Sequence, residues 1–428
     1  MGDKARGTFG TRFGVVMTMI GVAVGLGNVW RFPYMVGEFG GAAFVAFYLA
    51  VVAIIGIPAL VAELALGRHT RRGTVGAFAL GGLPLGRQVG WFFFAVVTAA
   101  TAYYSAVIGW VLYHAAAMLV PFDAGAVLPP ATGFTPRPYL LQAAGTGLVL
   151  LACAAVLLKG LRGGIERASK LLTPALFVIL LVLIARSVTL PGAGEGIRWY
   201  VLKFEISHLT AANALAAIGQ AVFSLALGGT FMVVYGSYLD RDQDLRWTAA
   251  ATAAGDTTAG LLAGLAIFPA VFALGLAPDS GPALIFVTLP TVFRAMPGGS
   301  VFGFLFFAGL AGVAYLSAVA ALEVLTAGLT DNTSITRTRA VRLMTAIVFV
   351  VSLPPTVNMR IFAPWDLTFG SGMQTLGAFC AAVTVGWAFV RADAIRELGS
   401  RRLYLWVRYV IPGILLAVGV WWATTAIA

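Results

Sequence analysis

Residues 21–34 read Gly-Val-Ala-Val-Gly-Leu-Gly-Asn-Val-Trp-Arg-Phe-Pro-Tyr, a run that brings donors, acceptors and a fixed positive charge into an apolar stretch. A helix cannot pass through it at low cost. Gly25 and Gly27 weaken the ladder, Asn28 offers a polar side chain, Arg31 carries charge to bilayer depth, and Pro33 removes a donor. Unpaired backbone groups in hydrocarbon cost several kcal/mol unless protein or a watery cavity satisfies them. A helix broken at that depth therefore lines a cavity, with freed carbonyls that suit cations and freed N–H groups that suit anions. A second break is expected at Ser224-Leu-Ala-Leu-Gly-Gly-Thr230, and Asp256 places a carboxylate inside a further apolar stretch, where an ionisable group is a functional candidate by default. The chemistry implied is binding. No enzyme is expected, because His69, His114 and His208 do not pair at metal-ligand spacing and no nucleophile motif is present.

The elements that must carry these residues follow from composition. With 60% hydrophobic and 11% charged residues among 428, the chain reads as an all-α integral membrane protein. Eleven apolar segments are long enough to span, at 13–35, 43–66, 88–119, 140–158, 169–189, 211–239, 247–276, 300–328, 340–355, 367–390 and 404–427. They form one expected membrane domain over residues 1–428, with no soluble domain or long linker between them. No cleavable signal peptide is expected, since the first segment follows basic residues and lacks a small-residue cleavage site. Cys153 and Cys380 fall inside segments and read as small packing residues.

A net charge of +11 invites a nucleic-acid partner, but its distribution points to the lipid bilayer instead. Twenty-one of the 28 basic residues fall on one side if the N-terminus is inside, which is the positive-inside pattern. The N-terminus is thus expected in the cytoplasm and the C-terminus, after an odd number of spans, outside. The two breaks, five spans apart, put the two halves in the membrane with opposite orientations, about 13–189 and 211–390, with 404–427 as an extra helix. Paired glycine-interrupted segments of this kind point to a secondary transporter site, against the plainer reading of packing glycines in unrelated helices.

At this point the motifs resemble the neurotransmitter:sodium symporter family. Gly25-Leu-Gly-Asn-Val-Trp-Arg-Phe-Pro-Tyr34 is similar to its first-span signature and Gly56-Ile-Pro-Ala-Leu-Val-Ala-Glu-Leu-Ala-Leu-Gly-Arg68 to its second span. Gly164-Ile-Glu-Arg-Ala-Ser-Lys170 with Pro174 resembles the loop into the fifth, and Asp256 followed by Ala263-Gly-Leu-Ala-Ile-Phe-Pro269 the bacterial seventh. The resemblance covers nearly the whole chain. It implies the fold of the bacterial leucine transporter, a five-plus-five inverted repeat with broken helices 1 and 6, in the plasma membrane of a bacterium or archaeon. It also implies sodium-coupled uptake of a neutral amino acid.

The resemblance carries over to particular residues. A first sodium site would use the carbonyl of Ala23 with Asn28, Ser224 and Asp256, the last supplying the negative charge that animal relatives take from chloride, so no chloride is expected. The substrate carboxylate would meet the N–H groups around Leu26 and Gly27 and the hydroxyl of Tyr104, under Phe223 as a lid. The other wall positions are Ala23, Ala100, Ala226, Gly229, Ser317 and Ala321, and their small size implies room for a bulky apolar or aromatic side chain. Arg31 with Asp366 would form the outer gate, and Arg6 with Asp331 the inner one, with Phe9 beside it. Glu63 would hold the broken backbone of the sixth span, and the Gly164–Pro174 spacing would let the fifth unwind.

One part of the family pattern is broken. A second sodium site would take carbonyls of Gly21, Val24 and Val313 and two hydroxyls in the eighth span, whose positions fall at Leu316 and Ser317 or, in a register set on Ala308-Gly-Leu310, at Ala311 and Gly312, so that one or both hydroxyls are missing. Leucine cannot ligate sodium. One sodium ion is therefore expected, with a sodium-independent or proton-coupled carrier, or a transporter-derived substrate sensor, as the alternatives. The oligomeric state is not legible.

Overall fold

A computed structural model describes residues 7–120, 123–208, 210–279 and 284–427. Among these every regular element is helical, as expected where no water is present to pair backbone groups. All eleven apolar segments are helical. Seven contain a helix that is by itself long and apolar enough to cross a bilayer: Ala42–Thr70, Gly86–Leu119, Pro136–Leu158, Leu161–Val188, Leu245–Ala273, Gly299–Asn332 and Arg401–Trp421. The first segment is a bent pair, Arg12–Ala23 and Gly27–Glu38, meeting at 55°. The sixth is Ala211–Ser224 followed by Phe231–Gly236, and the ninth is the 16-residue helix Arg337–Ser352.

The tenth segment begins earlier than hydropathy predicts. Its helix starts at Met359, because Asn358 caps it by accepting from the Ile361 N–H at 3.1 Å. Pro364 brings no N–H to the ladder, and the backbone widens into a π-turn over Asp366–Gly372 before Met373–Val383 continues.

The two breaks have local causes. Thr11 caps the first helix through Gly14 N–H, and the helix stops where Val24 turns extended, resuming as the π-turn Gly27–Arg31. In the sixth segment Ala226, Gly228 and Thr230 all take positive φ, at 52°, 80° and 57°. Left-handed backbone costs a side-chain-bearing residue roughly 1–2 kcal/mol, so surrounding contacts must hold it. Glu63 Oε1 accepts from the Gly228 N–H at 2.6 Å, and the Thr230 hydroxyl pairs with that of Thr74 at 2.8 Å. The tenth segment presses against this break. A Cβ added at Gly228 would lie 1.6 Å from the Gln374 carbonyl oxygen, and one at Gly377 would lie 1.9 Å from that of Gly228. Only glycine fits such an approach. Helices Gly86–Leu119 and Gly299–Asn332 pack along each other and wall the space between the two breaks.

Candidate functional site

Asn28 is the pivot of the first break. Its Oδ1 accepts from the Gly25 N–H at 3.0 Å, which turns the amide nitrogen toward the sixth and seventh segments. There Nδ2 faces Asp256 Oδ1 at 2.7 Å, the Asp256 carbonyl at 2.9 Å and Ser224 Oγ at 3.0 Å. Ser224 Oγ donates to Asp256 Oδ2 at 2.7 Å, and the Tyr48 hydroxyl approaches the same oxygen at 3.3 Å. An amide nitrogen has two protons, so three oxygens here share two hydrogens around a partly positive group. Asp256 is wholly buried, and its hydrogen-bond partners among the described residues are the neutral groups of Asn28, Ser224 and Tyr48. A shell of oxygens around an uncompensated carboxylate suits a hard cation. Tyr48 was not legible as part of it. Neither was Gln220, whose Nε2 donates to the Gly27 carbonyl at 2.9 Å and ties the two breaks together. The signal for both was a polar residue inside an apolar segment.

Next to this shell lies a cavity of about 60 Å³, several times the roughly 10–15 Å³ that one water needs. Of the residues expected to form it, Ala23, Gly27, Ala100, Tyr104, Phe223, Ala226, Ser317 and Ala321 are in its lining. Leu26 contributes through its backbone, donating its N–H to the Tyr104 hydroxyl at 3.3 Å. Gly229 is not part of the lining. The positive φ values at Ala226, Gly228 and Thr230 reset the direction of the chain, and the Phe231 ring takes the space instead, 2.1 Å from where a Cβ at Gly229 would sit. Phe231, Val22, Thr101, Tyr103 and Gln374 line the cavity without having been expected, so the wall is bulkier than the alanines alone imply.

Phe223 covers one end of the cavity. Its ring lies against Gly27, and the Arg31 guanidinium sits 4.6 Å above the ring centroid. Asp366 faces the same region, interacting with Arg31 through space and hydrogen-bonding the Tyr103 hydroxyl. Of the residues expected at the inner gate, Asp331 accepts from the Gly73 N–H at 2.6 Å, and Phe9 packs on Tyr235 and Tyr238. Arg6 lies outside the described residues.

Around Gly21 the surroundings differ. Leu316 Cδ1 and Thr173 Oγ1 each lie 2.9 Å from the place of a Gly21 Cβ and Ser169 Oγ lies 3.5 Å from it, so a methyl group of the eighth segment and two hydroxyls of the fifth face the last turn of the broken helix. Ser317 Oγ contacts the carbonyls of Val24 at 3.1 Å, Val22 at 3.3 Å and Val313 at 3.5 Å. The hydroxyl thus already serves carbonyls that a second cation would need.

Broken helices whose ends converge on an oxygen shell and an adjoining cavity, within a bundle of membrane-length helices, define a membrane transporter of the symporter class. The chain matches the sodium:neurotransmitter symporter family over residues 6–121 and 143–420. It is 32% identical to an uncharacterised sodium-dependent transporter of Haemophilus influenzae, covering 97% of this chain and 98% of that one. A second such protein, from Bacillus subtilis, is 29% identical, with 96% of each chain covered. Among solved structures, MhsT in complex with L-phenylalanine superposes with a TM-score of 0.84 at 33% identity, covering 97% of this chain and 99% of that one. The chain belongs to the sodium:neurotransmitter symporter family. It is a multi-pass, sodium-dependent transporter and not an enzyme.

Proposed function

We propose that the chain couples one sodium ion to uptake of a neutral, bulky apolar or aromatic amino acid by alternating access. The observation that carries this reading is the oxygen shell of Ser224 and Asp256 around Asn28, directly beside the N–H groups of the first break. Turning the Asn28 amide over would bring Oδ1 into that shell as a cation ligand beside the Ala23 carbonyl. The same turn would release the Gly25 N–H, which Oδ1 now occupies, for the substrate's carboxylate. Tyr104 would give up Leu26 and donate to that carboxylate. Asp256 would supply the fixed negative charge, so chloride is not required. Leu316 argues for a single sodium, because it puts a methyl group where the eighth segment would offer a hydroxyl ligand, and desolvating an ion against that methyl is costly.

The rings of Phe223 and Phe231 and the small walls at Ala100, Ala226 and Ala321 favour an aromatic or large aliphatic side chain. MhsT was solved with L-phenylalanine, which agrees with that class. Closure would alternate between Arg31 with Asp366 on the outside and Asp331 with Arg6 on the inside. The membrane domain would comprise two inverted repeats, about 13–189 and 211–390, with the N-terminus cytoplasmic and the C-terminus outside, in the plasma membrane of a prokaryote. Uptake of labelled leucine, phenylalanine and tryptophan into proteoliposomes tests the reading. Accumulation driven by an inward sodium gradient and independent of chloride is expected. Binding without accumulation would mark a substrate sensor, and accumulation without sodium a differently coupled carrier.

A further inference from the structure

The cavity lining holds five polar side chains, and four already have partners. Thr101 Oγ1 donates to the Val97 carbonyl at 2.6 Å, and the Tyr103 hydroxyl is engaged with Asp366. The Tyr104 hydroxyl takes the Leu26 N–H, and Ser317 Oγ contacts the carbonyls of Val22 and Val24. The fifth is Gln374. Its Oε1 is buried and has no hydrogen-bond partner among the described residues.

An unpaired buried amide oxygen is disfavoured, and of the buried polar atoms without a hydrogen-bond partner among the described residues, Gln374 Oε1 is the one whose residue lines the cavity. Gln374 is held in place by its backbone, which packs against Gly228 in the sixth-segment break. Ala226 and Phe231, which flank Gly228 in sequence, line the cavity with it. The carboxylate end of the cavity is fixed elsewhere, by Leu26 N–H and Tyr104 on the first and third segments. Gln374 therefore belongs to the part of the wall that meets a substrate's side chain.

We infer that Gln374 selects amino acids whose aromatic side chain carries a donor, an indole N–H or a phenol O–H, over their hydrocarbon counterparts. The inference rests on the amino-acid reading given under Proposed function. A site with a buried acceptor penalises a ligand that leaves it unpaired. Phenylalanine fills the same space but leaves Oε1 dry and alone.

The test compares ligands that differ in one donor, by competition binding to the purified, detergent-solubilised full chain in sodium. Tryptophan is set against 3-benzothienylalanine, its isostere without the N–H, and tyrosine against phenylalanine. About a tenfold preference for each donor-bearing member is expected. Gln374→Met should bring both ratios close to one, by weakening the donor-bearing ligands and strengthening the others. Ratios near one in the wild type overturn the inference, as does a preference that survives Gln374→Met. If Gln374→Met does not fold, the two ligand pairs on the wild type decide alone. Failure of every aromatic and large aliphatic amino acid to bind would instead overturn the amino-acid reading itself.

Discussion

Two neighbourhoods of the same broken helix differ in what surrounds them. At Asn28 the sixth and seventh segments contribute a serine hydroxyl, a carboxylate and a backbone carbonyl within 3.0 Å of the side chain. At Gly21, earlier in the same segment, the eighth segment contributes the Leu316 methyl, the fifth the hydroxyls of Thr173 and Ser169, and no carboxylate is among the three nearest side-chain atoms. The last turn of the first helix frees carbonyls from its ladder, and Ser317 Oγ already contacts those of Val22 and Val24. The difference is one of charge: a buried carboxylate faces Asn28, whereas a methyl and neutral hydroxyls face Gly21, and the one-sodium proposal rests on that difference.

The largest expected effect comes from removing the charge on the polar side. Asp256→Asn should weaken sodium-dependent substrate binding by at least about tenfold, since hydrogen bonds to charged groups contribute about 1.5–3 kcal/mol. It should also make binding respond to chloride, read by scintillation proximity in chloride and in gluconate. Unchanged sodium dependence in the variant would remove Asp256 from the site. A similarly large loss is expected from Gly25→Ala, whose Cβ would lie 2.6 Å from the Tyr104 hydroxyl and 2.8 Å from Ser317 Oγ. Overpacking there costs on the order of 1–3 kcal/mol, and substrate affinity measured by thermal shift should fall accordingly. Affinity equal to the wild type would contradict the placement of the cavity.

Tyr104→Phe should act more mildly. It deletes one hydroxyl at the carboxylate end, so affinity should drop roughly tenfold with little change in melting temperature without ligand. A loss of stability with no loss of affinity would make Tyr104 a packing residue. The smallest effect belongs to the Gly21 side. Leu316→Thr restores one oxygen near Gly21, and the sodium dependence of binding should steepen, with a Hill coefficient rising above one. An unchanged coefficient would mean that more than this methyl group blocks a second ion.

How far the sequence carried these assignments depends on backbone regularity. The breaks were legible because glycine, asparagine and proline crowded together at bilayer depth would leave backbone groups unpaired in an unbroken helix facing lipid. Asp256 was legible because a carboxylate at that depth is rarely idle. Gly229 was misread because side-chain direction inside a non-helical stretch follows φ values that no periodicity encodes, and three positive ones intervene. Tyr48, Gln220 and Gln374 were missed on different grounds. Each lies on a helix whose facing side is set by packing, and a single polar residue in an apolar segment does not say which neighbour it meets. The onset of the tenth helix was missed because a cap at Asn358, not hydropathy, sets it.

The central claim is that only the Asn28 neighbourhood, with its buried carboxylate, binds a coupled ion. It is tested most directly by the accumulation ratio of substrate in proteoliposomes at zero membrane potential, measured over a series of sodium gradients. Coupling to one sodium predicts that the logarithm of that ratio rises with the logarithm of the sodium gradient with a slope of one. A slope of two would place a second coupled ion in the protein despite Leu316, and contradict the account.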